Sequence, residues 1–321
     1  MPTPKSRLAA IAIAASLASA PLAMIPASHA APDRAPISST GHGYGTTVKD
    51  LGAAPATFMI AQETLKNRNF RTAAWTAKDL QLTLMSIPVG GDVGLEIHHG
   101  VDQFFRVESG TARVMMGTEE SFTYVKDVGP GAVILIPDGT WHNIVNTGKK
   151  SLQLYSMYGP AQHPLGTVHR TQADDPHADE ATPNPTVSPV SATDAWSADP
   201  GQVPFVFNIE DVTEANTNFR TAAWTGETLQ VTLMNIPVGG DVGLEMHSDV
   251  DQFLRVESGK AKVYFGDSEG NLKFAGVAQA DRAILVPAGT WHNIVNDSPK
   301  QPLKLYSIYG PAQHPQGTVH A

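Results

Sequence analysis

The sequence predicts an all-β protein built as two tandem small barrels. Three observations predict it. Apolar and alternating runs are short, and turns rich in Gly and Pro separate them, as in sandwiches and barrels. The second half of the 321-residue chain repeats the first, with Pro55 and Pro204 opening the two copies. Each copy runs to roughly 115 residues, long enough to enclose a core of its own. Each unit is therefore expected to fold without its twin.

The elements follow in order. Residues 1–30 read as a secretory signal: Lys5 and Arg7 form a positive start, Leu8–Met24 is apolar, and Ser28-His29-Ala30 offers small residues for cleavage after Ala30. Residues 31–54 read as a flexible lead-in and residues 55–169 as the first barrel. Phe58–Lys66 suits a strand and one or two helical turns. The octet Asn69–Thr76, NFRTAAWT, returns unchanged as Asn218–Thr225. Leu80–Pro88 alternates as a strand, and Leu229–Pro237 repeats it. Thr111–Met116 and Phe122–Val125 are strand-like, Ala132–Ile136 is a buried-strand run, and Trp141–Asn146 and Leu152–Tyr158 follow as strands. GPAQHPLGTVH at Gly159–His169 and GPAQHPQGTVH at Gly310–His320 close the units as ordered straps. Residues 170–203, rich in Pro, Asp and Ala, read as an exposed linker in which His177 is solvated, and residues 204–321 as the second barrel.

Composition narrows function. The formal net charge is -9, and cleavage after Ala30 would remove Lys5 and Arg7 and no acid, taking it to about -11. With no run of Lys or Arg, the chain lacks the cation cluster a nucleic-acid surface needs. There is no cysteine, so disulfides and thiolate ligands are excluded and any metal must be held by nitrogen and oxygen. The mature protein is expected in the periplasm or secreted from a bacterium, with no membrane attachment once the signal is cleaved.

The informative stretch is Gly90–Gly110, GGDVGLEIHHGVDQFFRVESG, which returns as Gly239–Gly259, GGDVGLEMHSDVDQFLRVESG. It reads as one tight hairpin. Glu96 and His98 are two apart, so on a strand they share a face. Gln103 lies across the turn, and His142 arrives from downstream. The twin set is Glu245, His247, Gln252 and His292. Four inward polar groups recurring in both units favour a metal over a barrel whose polar groups merely bond one another.

The spacing resembles the first cupin motif: Gly90, five residues, Glu96-Ile97-His98, four residues, Gln103, six residues and Gly110. Gly131, Pro137, Gly139, His142 and Asn146 match the second cupin motif, as do Pro287, Gly289, His292 and Asn296, with Asp281 where Gly131 stood. The chain is thus similar to a bicupin, two cupin (double-stranded β-helix, or jelly-roll) barrels in one chain. Its wording is similar to a bacterial branch of single-domain cupins of the mannose-6-phosphate-isomerase-like kind. One departure matters. Most cupins carry His where this chain has Glu96 and Glu245, and Glu where it has Gln103 and Gln252.

Glu96, His98 and His142 then form a two-His, one-carboxylate set suited to a divalent transition metal, Fe, Mn, Ni or Zn. Gln103 is either a fourth ligand or a group orienting bound water or substrate. The resemblance implies a metal-dependent enzyme of dioxygenase or decarboxylase type on a small oxygen-rich substrate, with Glu96 or Glu245 as a base. Two alternatives stand: a sugar-directed isomerase, lyase or epimerase, and a non-catalytic protein that binds a small molecule or metal. His99 reads as a turn residue. Asp102 and Asp251 read as turn caps or, less simply, as bases at the rim. Trp141 and Trp291 read as packing or interface residues or as substrate-stacking ones, and His163, His169, His314 and His320 as locally bonded strap residues or metal-reaching ones. Arg106 and Arg255, with Glu108 and Glu257, read as an outward ion-pair row. The two units are expected to pack as an intramolecular pseudo-dimer.

Overall fold

The computed structural model describes residues 49–176, 186–187 and 195–321. The signal, most of the lead-in, and His177 lie outside the described residues. The first half runs β1 (Ala56–Met59), α1 (Ile60–Lys66), β2 (Arg71–Thr76), β3 (Gln81–Ile87), β4 (Asp102–Ser109), β5 (Ala112–Gly117), β6 (Ser121–Val128), β7 (Ala132–Ile136), β8 (Trp141–Asn146), β9 (Leu152–Gly159) and β10 (Val168–His169). A short linker strand, β11 (Thr186–Val187), pairs in parallel with β6. The second half runs β12 (Phe205–Asn208), α2 (Ile209–Ala215), β13 (Arg220–Thr225), β14 (Gln230–Ile236), β15 (Asp251–Ser258), β16 (Lys260–Gly266), β17 (Leu272–Gln279), β18 (Arg282–Val286), β19 (Trp291–Asn296), β20 (Leu303–Gly310) and β21 (Val319–His320).

Each barrel sets a seven-stranded sheet against a smaller one. The large sheets are ordered β10-β2-β3-β9-β4-β7-β12 and β1-β18-β15-β20-β14-β13-β21, and the small ones β11-β6-β5-β8 and β17-β16-β19. The halves exchange their opening strands. β1 pairs antiparallel with β18, Ala56 opposite Leu285, and β12 pairs with β7, Phe205 opposite Leu135. The expectation that each unit folds without its twin is corrected here, because each large sheet is completed by a strand from the other half. A four-residue strand cannot announce from its own sequence which sheet edge it will join.

The core has three parts. Met85, Phe105, Met116 and Ile134 fill the first barrel, and Met234, Leu254, Val263 and Ile284 the second. Trp75, Trp224, Phe104, Phe253, Tyr155 and Tyr306 form a third cluster between the barrels. Alternation explains the division: on β4, Phe104 faces the other barrel and Phe105 the interior, so both faces of the strand are buried. The barrels approach so closely that a Cβ on Gly159 would lie 2.5 Å from Leu229 Cδ2. Among the described residues no helix is long and apolar enough to cross a membrane.

The ion-pair row is also corrected. Arg106 and Arg255 are 2% and 1% exposed and point at the opposite barrel, not at solvent. Arg106 pairs with Glu257, Arg255 with Glu108, and the Tyr155 and Tyr306 hydroxyls bond each other between them. Asp281 adds a third carboxylate to Arg255, beside Glu108 and Glu257, with Nη2 to Oδ1 at 3.0 Å. It does so from a left-handed backbone (φ 71°) at the position where Gly131 has φ 84°, a conformation Asp tolerates better than most residues. Asp102 and Asp251 are wholly buried turn caps that also cross the interface. Asp102 accepts from Asp138 N at 2.9 Å and Leu229 N at 3.0 Å, and Asp251 from Ala288 N at 2.8 Å and Leu80 N at 3.0 Å.

The ends of the expected lead-in and linker are ordered rather than loose. Asp50 accepts from Thr76 Oγ1 at 2.7 Å and Gly166 N at 2.9 Å, and Asp199 holds Thr225 and Gly317 in the same way. Trp196 Nε1 donates to Ala223 O at 2.8 Å.

A buried pair broken on one side leaves an unanswered charge, whereas an exposed pair does not. Arg106→Ala is expected to cost about 3–5 kcal/mol in denaturant unfolding, by the magnitude for such pairs. Arg113→Ala, whose pair with Asp127 is solvent-exposed, is expected to leave the unfolding midpoint essentially unchanged in the same assay.

Candidate metal centre

The Gly90–Gly110 stretch is not a hairpin. Residues 88–101 form a loop held to β8 by isolated bridges, Asp92 opposite Val145 and Glu96 opposite His142. Positive φ angles at Gly90, Gly94 and Gly100 bend it out of any continuous strand. Glu96 and His142 exchange two backbone hydrogen bonds, both 3.0 Å. Gly139 N donates to His98 O at 2.9 Å, fastening the loop to the turn after β7. Asn146 closes the assembly, its Nδ2 donating to Ile87 O and Pro88 O at 3.0 Å each. The second barrel repeats the bridge between Glu245 and His292 and the bond from Gly289 N to His247 O.

These backbone contacts bring three side chains together. Glu96 Oε1 lies 3.2 Å from His142 Nε2 and 3.5 Å from His98 Nε2. Glu245 Oε1 lies 3.3 Å from His292 Nε2 and 3.4 Å from His247 Nε2. In each barrel the three donor atoms fall within 4.8 Å of one another. Cis donors around a cation with bonds of about 2.1 Å stand about 3 Å apart, so the spacing suits a metal. His142 Nδ1 sits 2.9 Å from Thr140 O, and His292 Nδ1 2.9 Å from Thr290 O. A proton on Nδ1 shared with the carbonyl leaves the Nε2 lone pair turned to the cluster.

Charge and desolvation agree with this reading. Burial opposes ionisation of Glu245, but the His247 and His292 imidazoles 3.4 and 3.3 Å away outweigh it and hold the carboxyl down at about 2. The same balance, with His142 and His98, holds Glu96 well below the usual carboxylate range. The buried Nε2 atoms of His98, His247 and His292, and Oε1 of Glu245, have no hydrogen-bond partner. Such orphaned groups are costly unless something answers them, and a divalent cation in each barrel would answer those around it.

Gln103 and Gln252 lie wholly or almost wholly buried at the starts of β4 and β15. Their amides donate to Ser156 Oγ at 3.2 Å and Ser307 Oγ at 3.0 Å, which leaves both Oε1 atoms without a partner. Gln103 stands in register with Tyr158, whose ring edge meets His98 at 5.7 Å between centroids. His99 is exposed and belongs to the turn. Trp141 and Trp291 are half-buried.

Residues that the sequence reading passed over, Arg71, Tyr158 and Gln81 with their twins, complete the wall together with the strap histidines. Arg71 is 1% exposed and donates to the Tyr158 hydroxyl. Tyr158 meets His163 edge-on at 5.2 Å. Gln81 pins the strap there, accepting from His163 N at 2.9 Å and donating to His163 O at 2.7 Å. Arg220, Tyr309, His314 and Gln230 occupy the matching places, but there the guanidinium meets the strap instead of the tyrosine, Arg220 Nη1 lying 2.6 Å from His314 Nε2. Burial first, then the Arg71 cation, pushes His163 down to about 3, so the imidazole is neutral across the physiological range. His314 is pushed down to about 4 by burial and Arg220. Burial raises Tyr158 to about 12. The one available signal was an arginine as the only charged residue of an octet repeated without change.

A Cupin domain matches residues 83–158 and 232–309, one in each barrel. YrkC of Bacillus subtilis, a protein described as uncharacterized, is 55% identical over 122 residues; the match takes in 38% of this chain and spans 65% of the length of YrkC. The crystal structure of BH2720 from Bacillus halodurans is 52% identical with a TM-score of 0.39, covering 40% of this chain and 97% of that one. The S161A mutant of Bacillus subtilis oxalate decarboxylase is 15% identical with a TM-score of 0.48, covering 85% of this chain and 79% of that one.

If each barrel holds one cation, elemental analysis of protein purified without chelator should give two equivalents per chain. His142→Ala should leave one, His292→Ala one, and the double variant none, while a variant of exposed His99 should keep both.

Proposed function

The chain belongs to the cupin family, and from the groups lining its barrels we propose that it is a metal-dependent enzyme acting on a small oxygen-rich molecule, of the dioxygenase or decarboxylase class. The observation that carries the reading is the convergence of one ionised carboxylate and two imidazoles with orphaned lone pairs beside a buried arginine and a neutral histidine. A divalent transition metal held by Glu96, His98 and His142, or by Glu245, His247 and His292, would supply Lewis acidity and positions open to small molecules. Three protein donors leave room for Gln103 or Gln252 to bind directly or to orient what enters.

The protein's own groups have distinct tasks. Glu96 and Glu245 stay ionised, so each is a competent ligand and a carboxylate able to take a proton from a bound acid. His163 and His314 stay neutral on the strap side, where the chain closes over the barrel, and line it as uncharged polar groups. Arg71 and Arg220 place positive charge against whatever negative charge develops in the interior, and low dielectric strengthens that attraction. Apolar side chains below the cluster keep bulk water from the reacting groups. We further propose that the first thirty residues direct export, placing the enzyme in the periplasm or outside the cell.

The test is turnover. Protein as purified, offered small dicarboxylates, 2-oxo acids and enediols in air, should consume oxygen or release carbon dioxide with at least one of them. The double variant His142→Ala/His292→Ala should lose roughly 100-fold or more of that rate, a loss typical when an essential catalytic group is removed. Turnover that persists unchanged without oxygen, on sugars alone, would replace this reading with an isomerase or epimerase. Metal binding with no turnover on any of these compounds would leave a binding protein. Sequencing of the exported form should begin at Ala31.

A further inference from the structure

Each barrel aims its two imidazoles from one turn. In the first barrel the turn is residues 137–140: Gly139 N donates to His98 O at 2.9 Å, and Thr140 O lies 2.9 Å from His142 Nδ1. In the second barrel Gly289 N donates to His247 O at 2.7 Å, and Thr290 O lies 2.9 Å from His292 Nδ1. A turn this short has no core of its own, so its position must be set by what it is bonded to.

In each barrel a carboxylate reaches that turn with one oxygen and the opposite barrel with the other. Asp102 opens β4 and is wholly buried. Its Oδ1 accepts from Asp138 N, inside the turn, at 2.9 Å. Its Oδ2 accepts from Leu229 N at 3.0 Å and from Thr228 N, on the hairpin turn between β13 and β14. The Asp102 amide donates back to Thr228 Oγ1 at 2.9 Å. Asp251, which opens β15, makes the reverse crossing. Its Oδ1 accepts from Ala288 N at 2.8 Å, and its Oδ2 from Leu80 N at 3.0 Å and from Asp79 N, between β2 and β3. Each hairpin runs directly into the glutamine that clasps its own strap, Gln230 or Gln81. The approach is close: a Cβ on Gly226 would lie 2.3 Å from Asp102 Oδ2.

Bonds to an ionised acceptor are roughly twice as strong as neutral ones, and a buried carboxylate cannot exchange its donors for water. A neutral amide in its place has one acceptor oxygen and can serve one side only. We propose that Asp102 and Asp251 are positioning residues for the paired imidazoles, and that each fixes the pair of its own barrel against a hairpin of the opposite one. The first centre is then aimed from the backbone of the second barrel, and the second from the first. This deepens the proposed function by naming what holds its ligands in place. It rests on that reading for what the imidazoles bind, but not for what aims them.

Nitrogen NMR of isotope-labelled histidine rings, on chelator-treated protein, tests the assignment through the exchange rate of each Nδ1 proton. Asp102→Ala should speed exchange at His142 by about tenfold or more, the size of a lost bond to a charged group, and change His292 by less than about twofold. Asp251→Ala should do the reverse. Gly226→Val alters the second barrel alone, yet it should speed exchange at His142 and spare His292. Ala77 holds the matching place in the first barrel, so this hairpin admits a side chain. Equal effects on both histidines in the aspartate variants, or a Gly226→Val that leaves His142 unmoved or disturbs His292 instead, would overturn the proposal. Asp102→Asn and Asp251→Asn, of nearly the same size, carry the test where an alanine variant does not fold: each should perturb its own barrel's histidine only. Cobalt titration of His292→Ala, which keeps the first centre, gives a second reading: adding Asp102→Asn should weaken binding by about tenfold or more, and adding Asp251→Asn by less than about twofold. A wild type that takes up no cobalt counts against the metal reading, and the ring exchange rates alone judge this one.

Discussion

A guanidinium withdrawn from water has to be answered by negative charge or by rings and lone pairs that stand in for it. That requirement organises much of this molecule. Arg106 and Arg255 sit at the centre of the barrel–barrel contact and are answered across it by Glu257 and Glu108. Neither half can satisfy its own arginine in the same way, since Glu108 stands 3.5 Å from Arg106 Nε but gives its closest contact to Arg255. Tyr155 and Tyr306 fill the space between the pairs, each ring under the opposite arginine's guanidinium. The contact is therefore specified by charge as well as by the aromatic cluster around it. The same requirement recurs inside the barrels, where Arg71 and Arg220 face the interior and find different partners.

The barrel supplies the geometry by dividing each strand between two environments. On β4 and β15 alternate residues face the interior and the other barrel, so Gln103 and Arg106 of one strand serve different ends. The loop of residues 88–101 gives up strand pairing, and two backbone bridges to β8 replace it. That exchange places Glu96 beside His142 without relying on a long ladder. The strap is held as firmly, since Gln81 and Gln230 clasp the backbone at His163 and His314 from both sides. Donors that arrive from a loop, a strand and a strap are thus fixed by separate hydrogen bonds, as a preorganised site needs.

Much of this was legible in the sequence, for definite reasons. Ala132–Ile136 and Trp141–Asn146 carry unbroken apolar or alternating patterns between Gly-Pro turns, and the strands fall on those residues. Spacing placed Glu96, His98 and His142 as a set because each stands at a recurring position of both repeats. Other features were hidden. Alternation tells which face of β4 Arg106 occupies, but not that a second barrel covers that face, so a buried pair read as a surface row. β1 and β12 are too short for their sequence to name the sheet they complete. Arg71 opens a strand between Phe70 and Thr72, and nothing local distinguishes an arginine that turns inward from one that turns to water.

The exchanged opening strands have a consequence for how such a protein can change. Two separate copies could trade these strands only by meeting, whereas copies joined end to end always carry donor and receiver together. A change in either opening strand is then felt in the sheet of its sister, so the two halves vary as a pair in their frame while the loops around each interior are left to diverge.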